Sequence, residues 1–170
     1  MVISEKDKKH LNFCLELAKE SMAEGNVPIG ACLTIDNLLL GEDRNKQNSN
    51  ENWYNHAENN LIRRFATEIK HARKEKKSVE VYTSLEPCLM CLGAMAHNRI
   101  TRIIYSCPDP VAGATHITPP TEWYAKKWPT IEQGPYAEES CKLLIAGFRK
   151  IGWKKGIESY LKLYPNLKEK

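Results

Sequence analysis

The chain has 170 residues, a formal net charge of +4 and an apolar fraction of 42%, which predict a single domain over residues 1–170 with a sizeable core. Six cysteines are too sparse for a disulfide scaffold, and no run reaches the roughly 18 apolar residues of a membrane span. The charged N-terminus lacks the apolar run of a secretory signal. We therefore expect a cytoplasmic protein whose cysteines are reduced or bind metal.

Helical and extended patterns alternate along the chain. Ser4 is a candidate N-cap for a helix that ends at Gly25, and residues 29–42 predict two strands with a turn at Asp36-Asn37. The later predicted elements, in order, are a polar loop (42–54), a helix (57–74), a strand (78–85), a helix (88–99), a strand (100–107), a long loop (108–135), a helix (136–150) and a short last helix (152–165). This alternation predicts a layered α/β domain with a mixed sheet.

Lysine and arginine gather in two runs, at 63–77 and from Arg149 onward. Both runs are compatible with nucleic-acid binding. For each run alone, a solvated face with a lysine-rich turn is the favoured interpretation.

Two short motifs carry the chemistry. Cys88 and Cys91 lie three apart at a predicted helix start, where the helix N-terminus favours thiolate over thiol. This pair alone is compatible with a redox dithiol or half of a structural zinc site. His56 adds a third zinc-type ligand, and three protein ligands leave the fourth tetrahedral position for water. Glu58 can then lie beside that water as a proton shuttle without ligating the metal.

The motifs "HAE" (56–58) and "PCLMC" (87–91) resemble those of the zinc-dependent cytidine and deoxycytidylate deaminase superfamily. Residues 27–45 resemble the first hairpin of that superfamily. The stretch "YTSLEPCLMCLGAMAHNRITRIIY" resembles its branch of tRNA adenosine, guanine and cytosine deaminases. The resemblance implies a three-layer α/β/α sandwich with a central five-stranded mixed sheet, and a homodimer with its two active sites near the interface. The domain core would span 5–150, followed by a helical tail over 151–170.

For the site, the resemblance implies hydrolytic deamination, with Zn2+ held by His56, Cys88 and Cys91. Glu58 would be the catalytic proton shuttle. Asn45 and the backbone N–H of Ala57 would contact the substrate.

The expected substrate class depends on the segment 108–135. It holds two tryptophans and four prolines from Pro119 on, and prolines stiffen a loop. A stiff aromatic lid suits enclosure of a small planar ring. Trp123 would stack on that ring, although it could equally anchor the lid to the body, and Asp109 would read an exocyclic amine. We therefore expect a free nucleobase or nucleoside of guanine or cytosine type, with activity that salt weakens little.

Two alternatives stay open. A tRNA-specific adenosine deaminase (A to I) would need a basic surface around the pocket and stacking sites for an extruded loop nucleotide. A non-catalytic, zinc-stabilised RNA-binding subunit is disfavoured, since a structural site has no use for an unliganded Glu58. The run "ENWYN" (51–55) departs from the Asp-Pro-Thr-Ala run usual in the tRNA and guanine deaminases, which leaves the substrate open.

The remaining cysteines are interpreted as packing residues. Cys14, Cys32 and Cys141 lie on predicted apolar faces and are expected in the core. Cys107 follows a strand, and as a fourth ligand it would close the zinc site to water, so that role is disfavoured.

Overall fold

The structure, a computed structural model, describes residues 3–168. Its elements, in chain order, are α1 (Glu5–Ala23), β1 (Gly30–Ile35), β2 (Leu38–Arg44), α2 (Ala57–Arg64), α3 (Ala66–Lys74), β3 (Val79–Leu85), α4 (Leu89–His97), β4 (Arg102–Cys107), α5 (Glu122–Ala125), β5 (Thr130–Gln133), α6 (Ala137–Ile151), α7 (Lys154–Leu163) and a 3₁₀ turn (Pro165–Leu167). No helix in the described part of the chain is long and apolar enough to cross a membrane.

The five strands form one mixed sheet in the order β2-β1-β3-β4-β5. β1 pairs antiparallel with β2 and β3, whereas β4 runs parallel to both of its neighbours. Asp36 and Asn37 both have positive φ and form the turn between β1 and β2, a conformation that these two residue types tolerate. The predicted mixed five-stranded sheet is confirmed.

Helices cover both faces of the sheet, which confirms the α/β/α layering. α1 lies against α6, and α2 lies against α4. Successive strand residues point to opposite faces, so Cys32 and Tyr82 join the cluster beneath α1, while Leu33 and Val81 belong to the larger core. The same strands therefore supply side chains to the core on both faces of the sheet.

The single helix predicted over 57–74 is two helices, α2 and α3. The chain breaks at Phe65, with φ −111° and ψ 21°. The Phe65 ring then lies over Gly41 of β2, in the space that a Cβ at Gly41 would need. Because the apolar spacing continues across the break, periodicity alone did not reveal it.

The segment 108–135 is not an irregular lid. It contains α5 and β5, and β5 extends the sheet in parallel beside β4. Adjacent parallel strands need a crossover connection, and this segment is that crossover. Within this segment, the half-buried Trp128 packs against the core just before β5.

The tail after α6 packs back onto the domain. Gly152 adopts φ 76° at the end of α6, and Trp153 then packs edge-on against Phe148 with 4.6 Å between ring centroids. Tyr160 of α7 is 1% exposed and lies 5.6 Å from the same Phe148 ring. This helix therefore contributes to the core.

Candidate active site

Three metal-binding side chains converge where α2 and α4 begin. His56 is the N-cap of α2, Cys88 is the N-cap of α4, and Cys91 lies in the first turn of α4. The Nδ1 atom of His56 is 3.6 Å from Cys88 Sγ and 3.5 Å from Cys91 Sγ. All three donor atoms lie within 4.8 Å of one another. The structure therefore brings together the three residues that the sequence predicted as ligands.

The donor set fits a zinc ion. With Zn–S and Zn–N bonds of typical length, tetrahedral angles place nitrogen and sulfur about 3.5 Å apart, which matches both distances. Within residues 3–168, this is the one cluster of three such donors, and Cys107 is not part of it. Instead, Cys107 Sγ lies 3.3 Å from the carbonyl oxygen of Pro108. Three protein ligands leave one coordination position open, which is typical of catalytic zinc sites.

The two thiols differ in acidity. Hydrogen bonding with Cys91, assisted by His56, outweighs burial and lowers the pKa of Cys88 to about 4. The contact with Cys88, burial and the nearby Glu58 carboxylate raise the pKa of Cys91. Cysteine ligates zinc as the thiolate, so metal binding displaces any thiol proton that remains.

Glu58 lies beside the three ligands without joining them. It is 3% exposed, its Oε1 accepts a hydrogen bond from the Thr83 hydroxyl at 3.0 Å, and its Oε2 is 3.4 Å from Cys91 Sγ. Burial raises the pKa of Glu58, and the positive charge of His56 offsets this only in part. A carboxyl group with a raised pKa can both accept and donate a proton near neutral pH.

A cavity of about 70 Å³ opens onto these groups. Asp109 lies in its wall beside the apolar side chains of Ile29 and Leu85. The Asp109 carboxylate accepts a hydrogen bond from the N–H of Val111 at 2.9 Å. Burial raises the pKa of Asp109, while that N–H and the hydroxyl of Tyr160 counteract the rise. Tyr160 thereby connects the C-terminal tail to the cavity.

Sequence reasoning missed Glu86 and Tyr160. Glu86 accepts hydrogen bonds from the N–H of Asp109 at 2.9 Å, the N–H of Thr115 at 3.0 Å and the hydroxyl of Thr115 at 2.5 Å. It thus ties the cavity wall to the segment that bears Cys88. Glu86 could have been identified from the sequence, because it lies two positions before the ligand Cys88. No sequence pattern connects Tyr160 with Asp109.

The other expected substrate contacts, Asn45, Ala57 and Trp123, do not line this cavity. Asn45 is buried, and its side chain exchanges hydrogen bonds with Gln47. Ala57 is in the first turn of α2, where backbone N–H groups have no intrahelical partner. Trp123 packs 5.6 Å from the ring of His97, the last residue of α4, whose nine residues span about 13 Å. Its position does not support a contact in this cavity, because the crossover carries Trp123 to the far end of α4.

The family is established by a match over residues 4–107 to the cytidine and deoxycytidylate deaminase zinc-binding region. The matched range contains the zinc-type donors and Glu58 described above. The chain belongs to this family and is a zinc-dependent hydrolytic deaminase.

Two similar proteins are named as tRNA-specific adenosine deaminases. The tRNA-specific adenosine deaminase of Haemophilus influenzae is 33% identical over 165 residues, covering 94% of this chain and 93% of that protein. That of Buchnera aphidicola subsp. Baizongia pistaciae is 36% identical over 99 residues, covering 58% of this chain and 60% of that protein.

Solved structures agree on the fold. One from a study of A-to-I editing by tRNA:A34 deaminases has a TM-score of 0.62 at 26% identity, covering 75% of this chain and 98% of that one. The guanine deaminase from Nitrosomonas europaea has a TM-score of 0.61 at 17% identity, with 86% of each chain covered, and shows the fold alone.

These relatives overturn the expected substrate. The sequence favoured a free nucleobase or nucleoside, and this expectation is wrong: the relative that matches 94% of the chain is a tRNA-specific adenosine deaminase. A free base or nucleoside was expected because residues 108–135 predict an aromatic lid. The structure shows that this segment is instead the crossover to β5.

Proposed function

We propose that this chain is a tRNA-specific adenosine deaminase that converts adenosine to inosine. The observation that carries the proposal is the 33% identity to the Haemophilus influenzae enzyme over 94% of the chain. We assign zinc to His56, Cys88 and Cys91, and the proton-shuttle role to Glu58. A tRNA substrate is compatible with the cytoplasmic location that the sequence favours.

The surroundings of the cavity support an RNA substrate. Trp53 and Tyr54, just before His56, are 88% and 45% exposed. Exposed aromatic rings serve as stacking platforms for the bases of single-stranded nucleic acid, whereas a free nucleoside needs none outside its pocket. Trp53 and Trp153 also line an open cavity of about 410 Å³. The unusual run "ENWYN" thus supplies aromatic surface near the site.

The proposed reaction replaces the amino group on C6 of adenine with an oxygen atom from water and releases ammonia. When bound, zinc supplies the Lewis acidity that makes water nucleophilic near neutral pH. Of the two protons of the attacking water, Glu58 passes one to ring N1 and the other to the departing amine, so ammonia leaves and the carboxylate is regenerated in each turnover. The Thr83 hydroxyl holds one Glu58 oxygen, while the other lies on the side of the ligands.

Three groups are proposed to orient the adenine. Asp109 lies in the cavity wall. The N–H of Ala57 lies at the start of α2, and Asn45 directly follows β2. To contact the adenine, the Asn45 amide would exchange its hydrogen bonds with Gln47 for hydrogen bonds with the base. We also propose a homodimer, as the family resemblance implies.

The proposal is tested with a substrate panel. The zinc-loaded protein is incubated with full-length tRNA carrying adenosine at position 34, with the matching anticodon stem-loop, and with adenosine, cytidine, guanine and cytosine. We expect inosine in both RNAs and little ammonia from the small molecules. Glu58→Gln serves as the inactive control. Ammonia release from a free base or nucleoside, with no inosine in either RNA, would contradict the proposal.

A further inference from the structure

A groove rich in cations lies at the ends of α3 and α4, away from the zinc ligands. Two cavities of about 470 and 360 Å³ share Arg73 and Arg99 in their walls. We call their combined surface the basic groove. Its lining residues include no carboxylate, and its six cationic side chains are Lys70, Arg73, Lys74, Arg99, Lys126 and Lys127.

The charge of the basic groove is not neutralised within the described chain. None of its six cations forms an ion pair with a carboxylate of residues 3–168, whereas Arg44, Lys46 and Arg102 all do. Burial and the positive charge of Arg99 both lower the pKa of Lys127. The groove therefore concentrates positive charge in a protein whose formal net charge is only +4.

Aromatic rings border the same groove. Trp123 is 47% exposed, and the Nζ atom of Lys127 lies 2.9 Å from its ring centroid. His97 lines the groove, and its ring lies 5.6 Å from the Trp123 ring at an interplanar angle of 35°, while Trp128 forms part of the second cavity. Cations interleaved with aromatic rings form a surface that suits a nucleic-acid strand.

Helix stabilisation explains only part of this charge. Cations in the last turn of a helix interact favourably with its dipole, which accounts for Arg73 and Lys74 in α3. Lys70 lies in the middle of α3, and Arg99 lies beyond the end of α4. Lys127 follows the single turn of α5, whose dipole is small. These three side chains need another explanation.

We propose that the basic groove binds the sugar-phosphate backbone of the RNA substrate, outside the catalytic cavity. The inference rests on the proposed function for the identity of the RNA. The groove and the zinc ligands lie at opposite ends of α4, about 13 Å apart along its axis. A free nucleoside cannot span that distance, whereas an RNA whose loop presents a base to the cavity has phosphates beyond it. A concave surface with cations on both walls fits a phosphate strand better than a flat membrane surface.

The test is a matched pair of triple variants in a Glu58→Gln background, so that RNA binds without turning over. The groove variant is Lys70→Ala/Arg99→Gln/Lys126→Ala. The control is Lys6→Ala/Lys9→Ala/Lys150→Ala, which removes the same charge from exposed positions elsewhere. Binding of labelled full-length tRNA and of the anticodon stem-loop is measured by fluorescence anisotropy over a salt series. Circular dichroism and thermal melting check the fold of both variants.

We expect the groove variant to bind full-length tRNA at least about tenfold more weakly at low salt. Its slope of log K against log salt should flatten by about 2, since each lost phosphate contact contributes about 0.7 to 0.9. The control should stay within about twofold of its parent. Lys70→Arg/Lys126→Arg keeps the charge and should bind normally, which separates charge loss from misfolding. When the same three groove substitutions are made in the active protein, which keeps Glu58, they should raise KM for tRNA without changing kcat.

Two failures are distinguishable. If the groove variant and the control lose the same affinity, or neither loses any, the basic groove is not the binding surface and the inference is wrong. If the parent binds tRNA through the groove but the active protein forms no inosine in it, the proposed function fails while the binding surface stands.

Discussion

Glu58 is a carboxyl group in a place where folding alone would not favour one. Burying an ionisable side chain costs free energy unless partners compensate for it. Glu58 is 3% exposed and has one hydroxyl donor, that of Thr83. Its position beside His56 and Cys91 is therefore best explained by proton transfer.

Glu58→Gln should abolish proton transfer and spare the metal site. The amide has nearly the same shape and can keep the contact with Thr83. We expect turnover to fall by at least about 10²-fold, as for a lost general acid–base, with zinc content unchanged. Turnover is measured as inosine formed in tRNA, and zinc by metal analysis. Cys88→Ala is the contrasting variant, since it should lose zinc. A Glu58→Gln protein without zinc would contradict the shuttle assignment.

Trp53→Ala should weaken RNA binding selectively. Loss of one base-stacking ring costs about 1–3 kcal/mol, so KM for the anticodon stem-loop should rise at least about fivefold. Because Trp53 is 88% exposed, the fold should be unaffected. Trp53→Phe keeps an aromatic face and is the matched control. An unchanged KM in Trp53→Ala would show that this ring does not contact the substrate.

At the scale of elements, α1 is fixed to the sheet by one buried carboxylate. Asp7 Oδ2 accepts the Ser4 N–H at 2.8 Å and completes a capping box, while Asp7 Oδ1 accepts from Arg102 at 2.9 Å and lies 2.7 Å from the Tyr82 hydroxyl. Burial raises the pKa of Asp7, but these hydrogen bonds outweigh it and lower the pKa to about 2. Arg102 is also paired with Glu132, so the cluster joins α1, β3, β4 and β5.

This cluster should make stability depend on acid pH. The folded pKa of Asp7 lies below the ordinary 3.8, so its contribution is present above that value and is lost as pH falls towards 2. The shift corresponds to about 2 kcal/mol of unfolding free energy lost between pH 5 and pH 2. Urea denaturation between about pH 5 and pH 2 should show this loss of unfolding free energy in the wild type, whereas Asp7→Asn should lack it. Zinc release affects both proteins, so their difference isolates Asp7.

The exposed Glu5 gives the control for this prediction. Its side chain is 83% exposed in its pair with Lys8, and surface pairs contribute little. Glu5→Gln should therefore follow the wild-type curve. An Asp7→Asn curve parallel to that of the wild type would rule out Asp7 as the source of the pH dependence.

Local sequence patterns predicted some features of the fold and the site but not others. The zinc ligands were predictable because residue type and local spacing specify them. β5 was not visible in the hydropathy pattern, since its four residues "TIEQ" are half-buried or exposed, and only the family resemblance implied a fifth strand. The pairing of Asp7 with Arg102 joins residues 95 positions apart, which no local pattern specifies. The basic groove was hidden for the same reason, because Lys70 and Lys126 lie on separate elements.

At the scale of the whole molecule, two exposed apolar side chains lie in the first turn of α4. Leu89 and Met90 are 63% and 36% exposed and lie between the ligands Cys88 and Cys91. Apolar residues exposed beside an active site are candidates for a protein interface. Their position agrees with a dimer whose two active sites lie near the interface.

Light scattering at micromolar concentration should therefore give a mass of about twice the 19.5 kDa of one chain. Leu89→Gln removes apolar surface at the proposed interface, and we expect it to shift the population towards monomer. Leu163→Gln makes the same chemical change at a side chain that is 42% exposed on α7, away from α4, and should leave the mass unchanged. A wild-type monomer would refute the dimer, whereas a dimer unaffected by Leu89→Gln would place its interface elsewhere. Because Leu89 adjoins Cys88, zinc content is measured on the same samples, so that loss of metal is not mistaken for loss of the interface.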